Sequence, residues 1–273
     1  MNNSGRWSGQ VAYVDGNSYL RKSAQRAPLK VAKPFRTDDG GMSIYLMDAS
    51  AGLFNGDEQV IECVVEAGAS LYLTNQSSSK IHPSLSPHPS RQVQRFRVME
   101  GALLEYLPEP LVPFRDANYV GDTIVQMEAG AQAFVTEVIT PGRVARGEQF
   151  AYKRLRSTLS VYWGSRLAAW DTLNLEPRRH ADLTHMLGGY THVGTLWILS
   201  ERVAWEHLDL LQGWLFQHTG EHHLYGGVSM LQNHGIVVRV LGHSVQRVQA
   251  VLLSLWPLVR REVFGRDPIV VRK

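Results

Sequence analysis

Apolar and polar residues alternate with a period of two through much of residues 10–200. The clearest runs are "EQVIECVVE" (58–66), "RQVQRFRVM" (91–99), "DTIVQME" (122–128) and "STLSVYW" (157–163). Strict alternation is the signature of strands with one face inward. Helical periodicity is poor until about residue 200. The expected architecture is therefore mainly β: many short strands, layered or coiled, rather than a βαβ sheet.

Three segments align on a Glu followed by Gly-Ala: "EAGASLYLTNQ" (66–76), "EGALLEYLPEP" (100–110) and "EAGAQAFVTEV" (128–138). Gly68, Gly101 and Gly130 are thus 33 and 29 residues apart. Weaker echoes start at Gly41 and Gly164. In each copy a turn glycine leads into a short apolar strand. Seven positions after the glycine stand Asp48, Asn75, Pro108 (with Glu109 next), Glu137 and Asp171. Periods of this size fit stacked units that share a core with their neighbours. Gly-Ala is also a common dipeptide, so the alignment alone fits an unrepeated β protein too.

The pattern changes after residue 200. Residues 201–218 place Val203, Leu208, Leu211 and Leu215 on one helical face. Residues 244–264 form a stronger stripe of Val245, Val248, Val251, Leu252, Leu255 and Val259 behind Ser244, a good N-cap. Pro257 is positioned to kink or shorten this helix. "GGVSML" and "GIVVRVLG" between the helices read as a hairpin. The tail over 201–265 is thus helix, strand, strand, helix, packed on the β part. The first ten residues, 83–90 and 174–190 read as unstructured.

Composition narrows the function classes. The 273 residues are 44% hydrophobic and 19% charged, enough for a packed core. The formal net charge of +3 comes from scattered cations, which does not describe a nucleic-acid surface. The single cysteine, Cys63, excludes a disulfide framework. "MNNSGRWSGQ" lacks the apolar segment of a secretory signal, and no stretch reaches the roughly 18 apolar residues of a membrane span. A cytoplasmic protein that binds neither membrane nor nucleic acid is expected.

"LYLTNQSSSK" (71–80) runs from a strand into seven polar residues, consistent with a phosphate cradle, a wet passage or a simple turn. It has no glycine to shape a phosphate-binding backbone nest. "GRVARGEQ" (142–149) has P-loop glycine spacing, but Glu148 stands where a lysine should neutralise phosphate. No H-E-x-x-H, cysteine pair, EF-hand or G-x-S-x-G motif occurs. The residues alone leave two classes: a binding or scaffold protein, and an enzyme with a dispersed site, such as a carbohydrate- or metabolite-modifying enzyme on a β-solenoid.

"AGLFNGD" (51–57), "GASLYLTNQSSSKIHPS" (68–84), "LEYLPEPLVPFRDANY" (104–119) and "TPGRVARGEQF" (140–150) are more specific as a set. In this order and spacing the chain resembles the UreD family of urease accessory proteins, called UreH in some bacteria. Ala51 stands where that family usually has glycine, and Thr74–Lys80 replaces its usual Thr-Thr-Gln-Ala-Ala-Thr-Lys. The resemblance implies a single UreD-like domain over 1–273. Its fold would be a β-helix-like stack of strands with two C-terminal helices. It also implies a non-enzymatic subunit of a hetero-oligomeric complex. The implied partners are apo-urease, UreF and the GTPase UreG, and the cargo is nickel rather than a resident cofactor.

The resemblance also implies a water-filled internal passage for the metal, which gives the polar strand ends a role. An ion stripped of water needs replacement oxygens, so a passage must be lined with amides, hydroxyls and isolated carboxylates. The expected wall is Thr74, Asn75, Gln76, Ser77 and Ser78, continued by Glu105, Glu109, Glu137 and Asp171. Asp57 and Glu148 on the glycine turns would guard its ends, with Arg143 beside Glu148 as a salt bridge or a gate. Asp57, Glu137 and Asp171 are the expected transient nickel contacts.

Overall fold

The computed structural model describes residues 4–179, 183–220, 223–232 and 234–271. The first strands are β1 (Ser4–Val14), β2 (Asn17–Arg26), β3 (Leu29–Val31), β4 (Phe35–Arg36), β5 (Met42–Asp48) and β6 (Glu58–Val65). The middle of the chain holds β7 (Ser70–Asn75), β8 (Ser79–Ile81), β9 (Ser90–Val98), β10 (Leu103–Tyr106), β11 (Leu111–Pro113), β12 (Asn118–Met127) and β13 (Gln132–Ile139). Then follow β14 (Arg154–Trp163), β15 (Arg166–Leu175), α1 (Leu183–Met186), β16 (His192–Ser200), α2 (Trp205–Thr219), β17 (Tyr225–Met230), β18 (Gly235–Gly242) and α3 (Val245–Glu262).

These strands form two sheets. The first runs β15-β14-β12-β9-β6-β1-β2, and the second β17-β18-β16-β13-β10-β7-β5-β3. The chain passes from one sheet to the other and back. β6, β9, β12 and β14 are parallel neighbours in the first, and β5, β7, β10 and β13 in the second. This is a β-solenoid-like stack, as the mainly β, β-helix-like expectation required.

The Gly-Ala repeat is a repeated turn. Ala69, Ala102 and Ala131 donate backbone hydrogen bonds to Glu66, Met99 and Glu128. Gly68, Gly101 and Gly130 take φ of 72°, 62° and 66°, a left-handed region that glycine enters without cost. The turns also stack, since Gly68 N–H donates to Glu100 and Gly101 N–H to Ala129. All three alanines are fully buried against the neighbouring coils.

The echo at Gly41 is genuine, because it leads into β5 beside β7. The echo at Gly164 is not. It is a hairpin turn that folds β15 back antiparallel on β14 in the other sheet. The first ten residues also differ from expectation. Residues 4–10 belong to β1, because Trp7 is fully buried and the strand pairs with both β2 and β6. Within 174–190, Asn174 and Leu175 finish β15 and residues 183–186 are α1, while 180–182 lie outside the described residues.

The core has two sides. Between the sheets, Trp7, Leu71, Leu73, Val98, Leu104 and Met127 pack together. On the outer face of the second sheet, Leu103, Phe134, Ile198 and Val238 meet Leu211 and Leu215 of α2 and the Val248–Val259 stripe of α3. Pro257 sits inside α3 without ending it.

Candidate functional site

Inward positions follow strand parity, and their chemistry changes along each strand. In β6, Gln59 shares its face with Ile61, Cys63 and Val65. In β9, Gln92 and Gln94 share theirs with Phe96 and Val98. In the facing sheet the order reverses: Leu71 and Leu73 precede Asn75, and Ala133 and Val135 precede Glu137. The sandwich is therefore apolar next to the Gly-Ala turns and polar further from them. A third apolar cluster, with Leu53, Ile81, Leu111 and Tyr152, closes the loop end. A wet layer lies between two dry ones.

Hydrogen bonds run along this layer from coil to coil. Gln59 Nε2 donates to Asp48 Oδ2 (2.6 Å), and Gln92 Nε2 to Gln59 Oε1 (3.1 Å). Gln94 Nε2 donates to Gln92 Oε1 (2.8 Å), as does the Tyr119 hydroxyl (3.2 Å). Thr123 Oγ1 donates to Gln94 Oε1 (2.8 Å). Further along, the Ser157 hydroxyl donates to the Glu137 carboxylate.

Two small cavities follow the same line. One, of about 50 Å³, is lined by Asn75, Gln94, Tyr106, Glu109, Glu137 and Asp171 among others. The second, of about 40 Å³, includes Asp48, Gln59, Ser77 and Ser78. Asn75, Ser79 and Gln92 border both. Asn75 Oδ1 and the Tyr106 hydroxyl are buried there with no protein partner among the described residues. Solvent in a polar interior satisfies such groups. Burial pushes the Glu137 carboxyl up from 4.5 to about 7. Ser157 and Arg239 oppose the rise and Asp171 adds to it.

Of the residues expected to line a passage, Asn75, Ser77, Ser78, Glu109, Glu137 and Asp171 are brought together here. Gln76 lies just outside, in a surface groove with Phe35 and Tyr45 that also touches Asn75. The others are elsewhere. Thr74 has the opposite parity, and its hydroxyl donates to the Leu107 carbonyl (2.6 Å). Glu105 is on the helix side of the sheet, held by Trp256 Nε1 and Arg260, each at 2.6 Å. The Asp57 carboxylate accepts from Phe54 N–H (2.9 Å) and closes its own turn. Glu148 takes two bonds from Arg143 (2.8 and 2.6 Å), whose guanidinium lies 4.0 Å over the Phe114 ring. That pair fastens a loop rather than guarding a cavity.

Sequence reasoning missed the opposite wall: Gln59, Gln92, Gln94, Thr123 and Ser157, with Arg239 at the edge. The signal was present, since a glutamine in phase with buried Ile, Cys, Phe and Val must point inward. Among the described residues no three His, Cys, Asp or Glu side chains converge as a metal-holding group. No helix among them is long and apolar enough to cross a membrane.

Fold and interior together define a class: a solenoid-like β-stack, backed by two helices, that wraps a polar core reaching from coil to coil. Comparison with known proteins is specific. The sequence profile of the family described as UreD urease accessory protein matches residues 4–273. The urease accessory protein UreD of Acetivibrio thermocellus is 32% identical over 240 residues, covering 87% of this chain and 90% of that protein. The UreD proteins of Bacillus sp. (strain TB-90) and Halalkalibacterium halodurans are each 30% identical, covering 90% of this chain and 89% of theirs. The chain belongs to the UreD family of urease accessory proteins.

Proposed function

We propose that the protein is a non-enzymatic subunit of a cytoplasmic, hetero-oligomeric urease-maturation complex. It binds apo-urease and, with UreF and the GTPase UreG, helps insert nickel into the urease active site. Its own part is to conduct the ion through the wet layer, with Glu137 and Asp171 as transient contacts and Asn75, Ser77 and Glu109 as neutral or flanking oxygens. Asp57, whose carboxylate closes a turn, is left off the path.

The observation that carries this reading is the continuity of oxygen-bearing side chains from Asp48 to Asp171, across coils whose remaining inward positions are apolar. Carboxylates here are few and separated by amides and hydroxyls. That spacing favours passage over trapping. The scale also fits an ion with some of its water. Cavities of about 40–50 Å³ fall far below the roughly 300–1,000 Å³ of small-molecule sites, which speaks against a sugar or metabolite turned over in this interior.

The test is urease maturation in cells lacking this protein and complemented with variants. Without the protein, urease should accumulate with little nickel. Asn75→Leu and Glu137→Ala should restore the complex with UreF and urease but not full nickel content. Nickel-loaded, fully active urease in the deleted strain would end the maturation reading. Full loading with both variants would end the conduit.

A further inference from the structure

At one end of the wet layer the sandwich is open. Asp171 projects from β15, the edge strand of the first sheet, and Arg239 from β18 of the second. Their side chains form an ion pair across the gap. These two residues line the inner cavity that holds Glu137, and they also line an outer groove of about 450 Å³ with Tyr225, Gly227 and Ser229. No other residue is common to both. Whatever passes between interior and groove on this side passes the pair.

Strand register sets the approach. Glu137 pairs with Thr195, and Thr195 with Arg239, so the three stand in one row across β13, β16 and β18. Thr195 also lines the cavity. The Glu137 carboxylate at the inner end of the row and Asp171, on the facing sheet beyond its outer end, share one cationic neighbour, Arg239. The Asp171 side chain is 26% exposed and that of Arg239 47%. Such a half-exposed pair is weakly held, and its guanidinium can move into solvent.

We propose that Arg239 is a tethered counter-ion that plugs the passage by occupying Asp171, and that a divalent cation at Glu137 and Asp171 displaces it into the groove. This rests on the conduit reading and adds its gating. A doubly charged ion between the two carboxylates replaces a single positive charge, so Asp171 no longer needs Arg239. Once the ion has left, Arg239 returns and neutralises the mouth. The plug thus limits loss of cargo without a moving domain.

The test compares initial rates of nickel incorporation into apo-urease by the full accessory complex, with rates normalised to assembled complex. Arg239→Gln should raise the rate about twofold to fivefold, the range for releasing a weak surface pair. Asp171→Asn should lower it, because the mouth loses its attractive charge. A structural strut would instead give losses with both. Glu137→Gln separates the two readings. If it slows transfer while Arg239→Gln is unchanged or slower, the plug is overturned and the conduit stands. If Glu137→Gln has no effect, the conduit falls and the plug with it. Should Arg239→Gln fail to assemble, Arg239→Met decides: with no positive charge to occupy Asp171 it should still speed transfer, and a rate equal to or below that of the unmodified protein overturns the proposal.

Discussion

The carboxylate of Glu105 and the guanidinium of Arg260 meet at 2.6 Å where their side chains are only 2% and 1% exposed. Arg260 extends from α3 through the second sheet's outer face. It reaches Asp39 as well, while Trp256 Nε1 holds the other Glu105 oxygen. This cluster fixes α3 on the strands that wall the polar layer. Truncating Glu105 leaves the buried Arg260 with Asp39 as its remaining charged partner, a loss toward the lower end of the about 3–5 kcal/mol typical of breaking a buried pair. Glu105→Ala should therefore lower stability by that order in urea unfolding, and Glu105→Gln by less. A variant as stable as the parent would show that the pair is dispensable.

Glu137 makes stability depend on pH. Burial raises its folded-state value from 4.5 to about 7, so the folded protein holds a proton that the unfolded chain releases. The stabilising contribution is complete below about 4.5 and is lost as pH rises through about 7. Urea midpoints measured from pH 5 to 8 should fall more steeply for the parent than for Glu137→Gln. Parallel curves would place the carboxyl at its ordinary value.

The glutamine ladder should be stiff as well as wet. Gln94 donates to Gln92 and accepts from Thr123, so Gln94→Leu removes one hydrogen bond from the buried Gln92, which keeps Tyr119, and one from the half-buried Thr123. A loss of about 1–3 kcal/mol is expected, from about 0.5–1.5 kcal/mol for each of the two hydrogen bonds removed. Nickel transfer should fall further than stability does. Metal content of urease, read beside thermal unfolding, checks both.

Cys63 should be inert in the native state. It is 2% exposed, and burial pushes its thiol up to about 12, so almost no thiolate exists near neutral pH. Iodoacetamide should label it slowly until denaturant is added. Labelling of native protein at the rate of a free thiol would contradict that placement.

Much of this was legible in the chain, for physical reasons. The stacked turns could be read from Gly68, Gly101 and Gly130 because each needs φ > 0 and a small residue behind it. The same need misled at Gly164, since a hairpin turn asks for the same glycine. Parity could have sorted the wall. Counting from each glycine, odd offsets face inward and even ones outward. Asn75 and Glu137, at offset seven, therefore line the interior, while Thr74 and Glu105 face away. Treating every polar residue at a strand end as equivalent lost that distinction. The Asp171–Arg239 contact was beyond local pattern. Its partners lie 68 residues apart and meet only because a hairpin in one sheet ends opposite a hairpin in the other.

The wet layer is assembled one strand per coil. From Gln59 on β6 to Ser157 on β14 it crosses three strand spacings, about 14 Å at roughly 4.8 Å each. Its length is consequently quantised. A relative carrying one more coil would own a longer corridor with the Asp171–Arg239 mouth untouched, and one lacking a coil a shorter corridor, so the reach of the route can be retuned by whole turns of the stack without redesigning that mouth.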